Sequence, residues 1–239
     1  MLQTSTLEGK PIATLVNYAI HPEVIGSSRG ILSPDLVGPL YSRIAEKIGG
    51  EAIFMNSAQG GMVTADNRAP EGKEHRDWEE CQRIGNLLAD EAMRIVSGAD
   101  AEKTPSVYCT NKVVDFRVDS PLLLQIMKLS PLGYHANRPG YVTTTVNLLN
   151  VGNAQILTIP GEALPNLGYY LKRKMRGDVN FLFGLTNDAF GYILTKEDFT
   201  SFKRYDYVSR TSLGESTADT LENASLQLIQ VAPDPRVKH

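Results

Sequence analysis

Short apolar runs alternate along the chain with longer segments of helical periodicity, and this alternation constrains the fold more than any other feature. The clearest helix is 77–97, where Cys81, Ile84, Leu88 and Ala92 recur at three- and four-residue steps. Further helices are predicted at 35–48, 164–175 and 217–231. Strands are predicted at 12–19, 51–55, 107–118, 142–149, 154–159 and 181–185, with a hairpin turn at 150–153. Strands and helices that alternate at these intervals predict an α/β fold, with a layered mixed sheet flanked by helices in a single domain.

Composition excludes several function classes. The 24 Lys and Arg residues do not outnumber the 27 Asp and Glu residues, which argues against a nucleic-acid partner. An apolar share of 42% excludes a disordered polar chain. No apolar stretch approaches the roughly 20 residues that cross a bilayer, so we expect no transmembrane segment. Cys81 and Cys109 are too few for a disulfide framework or a four-thiolate zinc site. They could pair with each other, but the favoured interpretation is two buried free thiols, and the compartment stays open.

Three residues that can bind a metal follow three predicted strands. His21 comes directly after the strand 12–19, Glu162 follows 154–159, and Tyr192 follows 181–185. Each has an ordinary explanation by itself: a hydrogen-bonded histidine at a strand end, an acid in the first turn of a helix, and a packing aromatic. Because strand ends can meet at one edge of a sheet, the three side chains could also converge there. Imidazole, carboxylate and phenolate together suit an ion such as zinc.

The segment 56–64 follows another predicted strand and contains the pair Gly60 and Gly61. Two glycines permit a close backbone approach or a positive φ, as an oxyanion loop or a ligand loop requires. A plain turn is the alternative. It is not a phosphate loop, because no Gly-Lys-Ser/Thr follows.

Four histidines are present, and only His21 has a position that suggests chemistry. His75 lies in a charged run typical of a solvated surface, His135 lies in a predicted loop, and His239 ends the sequence. The apolar run 121–129 fits either a membrane-surface contact or part of the core.

The sequence resembles the neutral/alkaline, non-lysosomal ceramidase family at short motifs that follow the family's order and span most of the chain. These motifs are Asn17-Tyr18-Ala19-Ile20-His21-Pro22, Ser33-Pro34-Asp35, the segment 54–64, Pro160-Gly161-Glu162, Gly184-Leu185-Thr186-Asn187, Gly191-Tyr192-Ile193-Leu194-Thr195 and Arg204-Tyr205-Asp206.

The resemblance implies a zinc-dependent amidase. In this family the zinc is held by two histidines, a glutamate and a tyrosine, and His21 matches the second histidine, Glu162 the glutamate and Tyr192 the tyrosine. Tyr205 resembles a family tyrosine near the reacting carbonyl that stabilises the oxyanion. Thr64 takes the position of the family's nucleophile-like serine, so a hydroxyl is retained there.

The sequence also departs from the family pattern. Around Thr64, Met62 replaces an aspartate and Ala65 replaces a proline. The family's first zinc histidine and a substrate-contacting arginine lie upstream of everything in residues 1–239, and a C-terminal immunoglobulin-like domain is not seen. The resemblance therefore implies a partial ceramidase-like catalytic domain over residues 1–239.

The function that follows is zinc-dependent hydrolysis of an amide bond in an N-acyl (sphingo)lipid or related amide. Two alternatives stay open: a catalytically incomplete remnant or binding module, and a zinc hydrolase of a different amide or peptide. The expected partner is a small-molecule or lipid amide substrate. The oligomeric state is open.

Overall fold

The computed structural model describes residues 1–61, 63–68, 71–131 and 136–237, without the side chain of Arg204. His135, His239 and Met62 lie outside the described residues. In chain order the helices and strands are β1 (Leu2–Ser5), β2 (Pro11–Tyr18), α1 (Val37–Lys47), β3 (Glu51–Asn56), α2 (Trp78–Ser97), β4 (Val107–Arg117), α3 (Pro121–Leu129), β5 (Tyr141–Val151), β6 (Ala154–Thr158), β7 (Glu162–Ala163), α4 (Pro165–Lys174), β8 (Val179–Phe183), β9 (Tyr192–Ile193), a 3-10 turn (Lys203–Tyr205), α5 (Asp206–Arg210) and α6 (Thr217–Val231).

The predicted mixed α/β fold is confirmed: sheets of two to four strands are accompanied by helices. Each strand and helix predicted from periodicity is present, with ends shifted by a few residues. The predicted hairpin is present as well, because β5 and β6 pair antiparallel across Gly152, whose φ is +54°. Among the described residues, no helix has both the length and the apolar character needed to cross a bilayer.

The chain forms two compact units, and each is described by itself. The first unit contains Met1–Asn56 and Met62–Lys103. Its sheet has the order β1-β2-β3, with β1 antiparallel and β3 parallel to β2. Val16 from β2, Ile44 from α1 and Ala92 from α2 are each fully buried in one cluster of this unit.

Gly85 on α2 faces the start of α1. A Cβ at Gly85 would lie 2.4 Å from the carbonyl oxygen of Leu36 and 2.9 Å from the Cβ of Pro39. The absence of a side chain therefore permits this close approach of the two helices. Asp77 begins α2 by accepting a hydrogen bond from the backbone N–H of Glu80, as helix caps of this type do.

The second unit contains Ser57–Gly61 and Thr104–His239. Its main sheet has the order β4-β5-β6-β8, in which only the β6–β8 pair is parallel. The core includes Phe116, Leu148, Leu182 and Leu221, all fully buried. Phe116 also meets Phe190 edge to face, with ring centroids 5.1 Å apart. The strands β7 and β9 form a separate two-stranded sheet.

Helix α3 was not expected as a helix. Apolar residues occupy every position of this helix except Gln125 and Lys128, so no single apolar face stands out and periodicity does not reveal it. Local signals were present, since Ser120 accepts from the N–H of Leu123 at 3.3 Å and Pro121 occupies the first turn. Leu123 and Leu124 pack against the core, whereas Leu122, Ile126 and Leu129 are exposed. A membrane-surface contact of this segment stays a prediction.

The interpretation of both cysteines as buried is wrong for Cys109. Cys81 on α2 is fully buried, whereas Cys109 is exposed. Cys109 lies on β4, the edge strand of its sheet, where alternate residues face outward. Burial raises the pKa of the Cys81 thiol to about 11, and the negative charge of Asp35 acts in the same direction.

We predict that Gly85→Ala destabilises the protein by about 1–3 kcal/mol, because the added methyl group overlaps the backbone of Leu36. Helix propensity alone predicts a gain in stability of up to about 1 kcal/mol for this substitution. The sign of the change in unfolding free energy therefore shows which of the two effects dominates. Urea unfolding measures the difference. Gly98→Ala is the matched control, since its Cβ would come no closer than 4.0 Å to a neighbouring atom. Equal stabilities for both variants would contradict the packing argument.

We predict that a thiol reagent at pH 8 modifies Cys109 and leaves Cys81 untouched in the native protein. The reason is that Cys81 is buried and stays protonated until the pH approaches its pKa of about 11. Mass spectrometry of peptides counts the modified sites. In denaturant both cysteines should react, and native labelling of Cys81 at the rate of Cys109 would contradict the prediction.

Candidate functional site

The predicted site residues fall in both units. His21 and Thr64 belong to the first unit, and Glu162, Tyr192 and Tyr205 belong to the second. The description below therefore follows each group within its own unit.

One backbone carbonyl orients His21. The N–H of His21 donates to the carbonyl oxygen of Val63 at 2.9 Å, and Nδ1 of its ring lies 2.8 Å from the same oxygen. A carbonyl can only accept, so this contact assigns the proton to Nδ1 and the lone pair of the neutral ring to Nε2. Metal-binding histidines are typically held in this way, by a hydrogen bond from the nitrogen that does not bind the metal.

Asp35 holds the loop that follows His21. Its carboxylate is buried and accepts from the N–H groups of Val24 at 3.0 Å, Ile25 at 2.9 Å and Leu36 at 2.8 Å. The residue has a φ of +51°, a conformation that aspartate tolerates better than most residues. Asp35 therefore fixes backbone groups of this loop through three N–H donors.

Thr64 follows Val63 directly and is exposed. The threonine therefore adjoins the residue whose carbonyl orients His21. Met62 lies outside the described residues.

In the second unit, strand pairing places Glu162 opposite Tyr192. The two residues are register partners in the parallel pair β7–β9. The N–H of Glu162 donates to the carbonyl of Gly191 at 2.8 Å, and the N–H of Leu164 donates to that of Ile193 at 3.0 Å. Register partners on neighbouring strands present their side chains on the same face of a sheet. A carboxylate and a phenol, both possible zinc ligands, are thus neighbours.

Glycines permit this pairing. A Cβ at Gly161 would lie 2.7 Å from the carbonyl oxygen of Gly191, and a Cβ at Gly191 would lie 2.1 Å from that of Thr211. Gly191 also has a φ of +80°, which L side chains rarely adopt. A side chain at Gly161 or Gly191 would therefore clash with a neighbouring backbone, which explains why the motifs 160–162 and 191–195 have glycine at these positions.

Tyr192 is held in an apolar cluster that Tyr205 also joins. Tyr192 is 7% exposed and packs with Leu194 and Val208. The ring of Tyr207 meets it edge to face, with centroids 5.8 Å apart. Tyr205 is partly buried against the same cluster. The structure thus brings Tyr192 and Tyr205 to one part of the second unit.

The glycine pair after β3 approaches the backbone that carries Glu162. The N–H of Gly60 donates to the carbonyl of Ala163 at 2.8 Å, and a Cβ at Gly60 would lie 2.2 Å from the carbonyl oxygen of Glu162. Gly61 has a φ of +75°. The predicted close approach and positive φ are confirmed, while an oxyanion role for this loop stays a prediction.

Sequence reasoning missed Gln59, which precedes this pair. Its side chain is 1% exposed, and its Oε1 has no hydrogen-bond partner within the described part of the chain. The one sequence signal for Gln59 is that it directly precedes Gly60 and Gly61.

Within the described ranges, no group of three or more His, Cys, Asp or Glu side chains could hold a metal ion. The predicted ligands His21, Glu162 and Tyr192 include only two side chains of these four types, because the third is a tyrosine.

We predict that Asp35→Asn destabilises the protein by about 1–3 kcal/mol, because an amide offers one accepting oxygen where the carboxylate has two. Urea unfolding measures the loss. The matched control is Asp100→Asn, whose residue is exposed and should be neutral within about 0.5 kcal/mol. A stability of Asp35→Asn equal to that of the control would show that the three contacts do not hold the loop.

Two solved structures resemble this chain in fold. The neutral ceramidase from Pseudomonas aeruginosa matches with a TM-score of 0.72 and 15% identity, over 96% of this chain and 47% of that one. A ceramidase complexed with C2 matches with a TM-score of 0.71 and 14% identity, over 95% of this chain and 47% of that one. No protein-family model matches, and no curated protein matches. The chain therefore has a ceramidase-like fold and spans about half the length of these ceramidases.

Proposed function

We propose that this chain is part of a ceramidase-like catalytic domain that hydrolyses an amide bond in an N-acyl lipid with the help of zinc. The observation that carries the proposal is the orientation of His21, whose Nδ1 is committed to the carbonyl of Val63. Zinc-binding histidines are typically held in this arrangement. The ceramidase-like fold and the order of the sequence motifs support the same conclusion.

The donor set fits zinc. His21 supplies an imidazole nitrogen, Glu162 a carboxylate and Tyr192 a phenol oxygen, all of which are ligand types that zinc accepts. Register pairing of Glu162 with Tyr192 supports their acting together. When bound, zinc would lower the pKa of a coordinated water and polarise the amide carbonyl.

The remaining roles belong to hydroxyl groups. Tyr205, packed on the cluster of Tyr192, would donate a hydrogen bond to the oxygen of the reacting carbonyl as negative charge develops there. Thr64 would orient the substrate or the attacking water. Its secondary hydroxyl is a more crowded nucleophile than that of serine, which favours attack by water over formation of an acyl-enzyme.

A catalytically incomplete binding module is the second candidate. The replacements at Met62 and Ala65 favour it, because both alter the residues around the hydroxyl of Thr64. The two candidates differ in whether stoichiometric zinc is bound and whether an amide is cleaved.

We predict close to one zinc per chain in the purified protein, measured by inductively coupled plasma mass spectrometry. His21→Ala and Glu162→Ala should each lose most of it, because each removes one ligand. His75→Ala is the matched control, since this histidine is half-exposed on a charged segment and should keep its zinc. Circular dichroism melts show whether each variant still folds.

Activity separates the competing functions. Zinc-loaded protein that cleaves N-acyl lipids faster than short peptide amides supports the proposal, and the opposite preference supports a different zinc hydrolase. Wild-type protein that folds and binds no zinc would overturn the zinc assignment. Weak, non-stoichiometric zinc binding without cleavage of either substrate class would support the binding module.

A further inference from the structure

Strand β4 leaves one edge of its sheet open. It is the outermost strand in the order β4-β5-β6-β8, and its register with β5 is unbroken over 107–117. Just before β4, the carbonyl of Ser106 accepts from the N–H of Gly152 at 2.8 Å. Just after β4, the N–H of Val118 donates to the carbonyl of Gly140 at 2.9 Å. Because backbone groups alternate in direction along a strand, the even-numbered residues of β4 direct their N–H and C=O groups toward β5, and the odd-numbered residues direct theirs toward the open edge.

The backbone groups on this open edge are not used by the protein itself. They belong to Val107, Cys109, Asn111, Val113 and Asp115. Among the residues that the structure describes, no hydrogen bond to an N–H or C=O group of these five is found. A row of such groups is a template on which another strand can pair.

The devices that usually protect a sheet edge are missing from β4. No residue in 107–117 is a proline, and the described register with β5 contains no bulge. The one lysine of the strand, Lys112, has an even number, and its Nζ is hydrogen-bonded to Oε1 of Gln227 on α6. The uncharged edge-facing residues 107, 109, 111 and 113 are all exposed. The strand therefore presents a long and regular edge that is mostly uncharged, and edges of this kind pair with other strands.

A second copy of β4 fits this edge. Two antiparallel copies related by a two-fold axis offer each other the same odd-numbered groups, so opposed residues can exchange two hydrogen bonds. This contact occupies the open edge of β4 in both copies. It therefore closes as a dimer and does not continue into a fibre.

Charge selects the register of the pairing. If all of 107–117 paired with its copy, Lys112 would lie opposite Lys112 of the second copy, and like charges directly opposite each other are destabilising. With Asn111 opposite its own copy, residues 107–115 stay paired. Lys112 then meets Thr110, and Asp115 meets Val107, so like charges are no longer opposed.

We propose that this chain forms a two-fold symmetric dimer in which β4 pairs antiparallel with β4 of a second copy, with Asn111 on the axis. The two main sheets of the second units join into one continuous sheet. A single strand pair is a small interface, so the dimer dissociates in the range of about 1–100 μM. The dimer goes beyond the proposed function and uses none of its ligand residues.

Analytical ultracentrifugation of the purified chain between about 1 and 200 μM tests the dimer. We expect a dimer fraction that rises with concentration. Asn111→Lys and Asn111→Glu should each raise the dissociation constant about threefold or more, because each opposes like charges on the axis. An equimolar mixture of the two variants should dimerise at least as tightly as the wild type, because opposite charges then meet.

Gln125 provides the matched control, because it is an exposed neutral residue of α3 in the same unit. Gln125→Lys and Gln125→Glu should leave the dissociation constant unchanged. The measurement requires neither zinc nor substrate, so its outcome is separate from that of the proposed function.

Disulfide formation tests the register. Opposed residues of a hydrogen-bonded pair have Cα atoms about 5.5 Å apart, a separation that a disulfide spans. A double variant with Cys109→Ser and Asn111→Cys should therefore form a covalent dimer with oxidised glutathione, seen on non-reducing gels. Wild-type Cys109 should not, because in this register it lies four residues, or about 14 Å, along the strand from its copy. Gln125→Cys in the Cys109→Ser background should stay monomeric.

Several outcomes would overturn the proposal. A wild-type chain that stays monomeric at about 200 μM would exclude the dimer, and a dimer unaffected by Asn111→Lys would place its interface elsewhere. Covalent dimers formed through Cys109 as fast as through Asn111→Cys would contradict the register. A monomeric chain that binds a peptide of alternating Thr and Val residues would assign the edge to an extended segment of another protein.

Discussion

The parallel pairing of β7 with β9 is the interaction on which the second unit's candidate site depends. It brings a carboxylate and a phenol, separated by thirty residues of chain, onto one face of a two-stranded sheet. A sheet this small gains little from its own hydrogen bonds. Its stability comes from glycines that let neighbouring backbones approach and from the apolar cluster that packs around Tyr192. Packing of the surrounding unit, rather than strand propensity, thus positions Glu162.

The sequence predicts most of the fold because its strands and long helices have clear periodicity. The 20-residue helix α2 has both a periodic apolar face and an aspartate cap, and both are found in the structure. Helix α3 escaped prediction because its leucines face both core and solvent, which erases the periodic signal. Cys109 was misjudged because its exposure depends on which face of the assembled sheet is covered, and residues 107, 109, 111 and 113 of β4 are all exposed.

The candidate site was predictable in part. The pattern of apolar runs predicts that Glu162 and Tyr192 each follow a strand. It does not predict that the two residues are register partners. The unpaired Oε1 of Gln59 carried no sequence signal, because an unpaired buried polar atom is recognised only once every neighbouring group is in place. The role of Asp35 likewise depends on a positive φ and on three N–H groups that converge through folding.

The two contacts of His21 with Val63 are main-chain chemistry, since both are to the carbonyl oxygen of that residue. Any L-amino acid at that position supplies the same oxygen. The side chains of this loop can therefore change while the imidazole retains its tautomer. Substitutions of side chains in this loop consequently carry little information about which nitrogen of the histidine holds the proton.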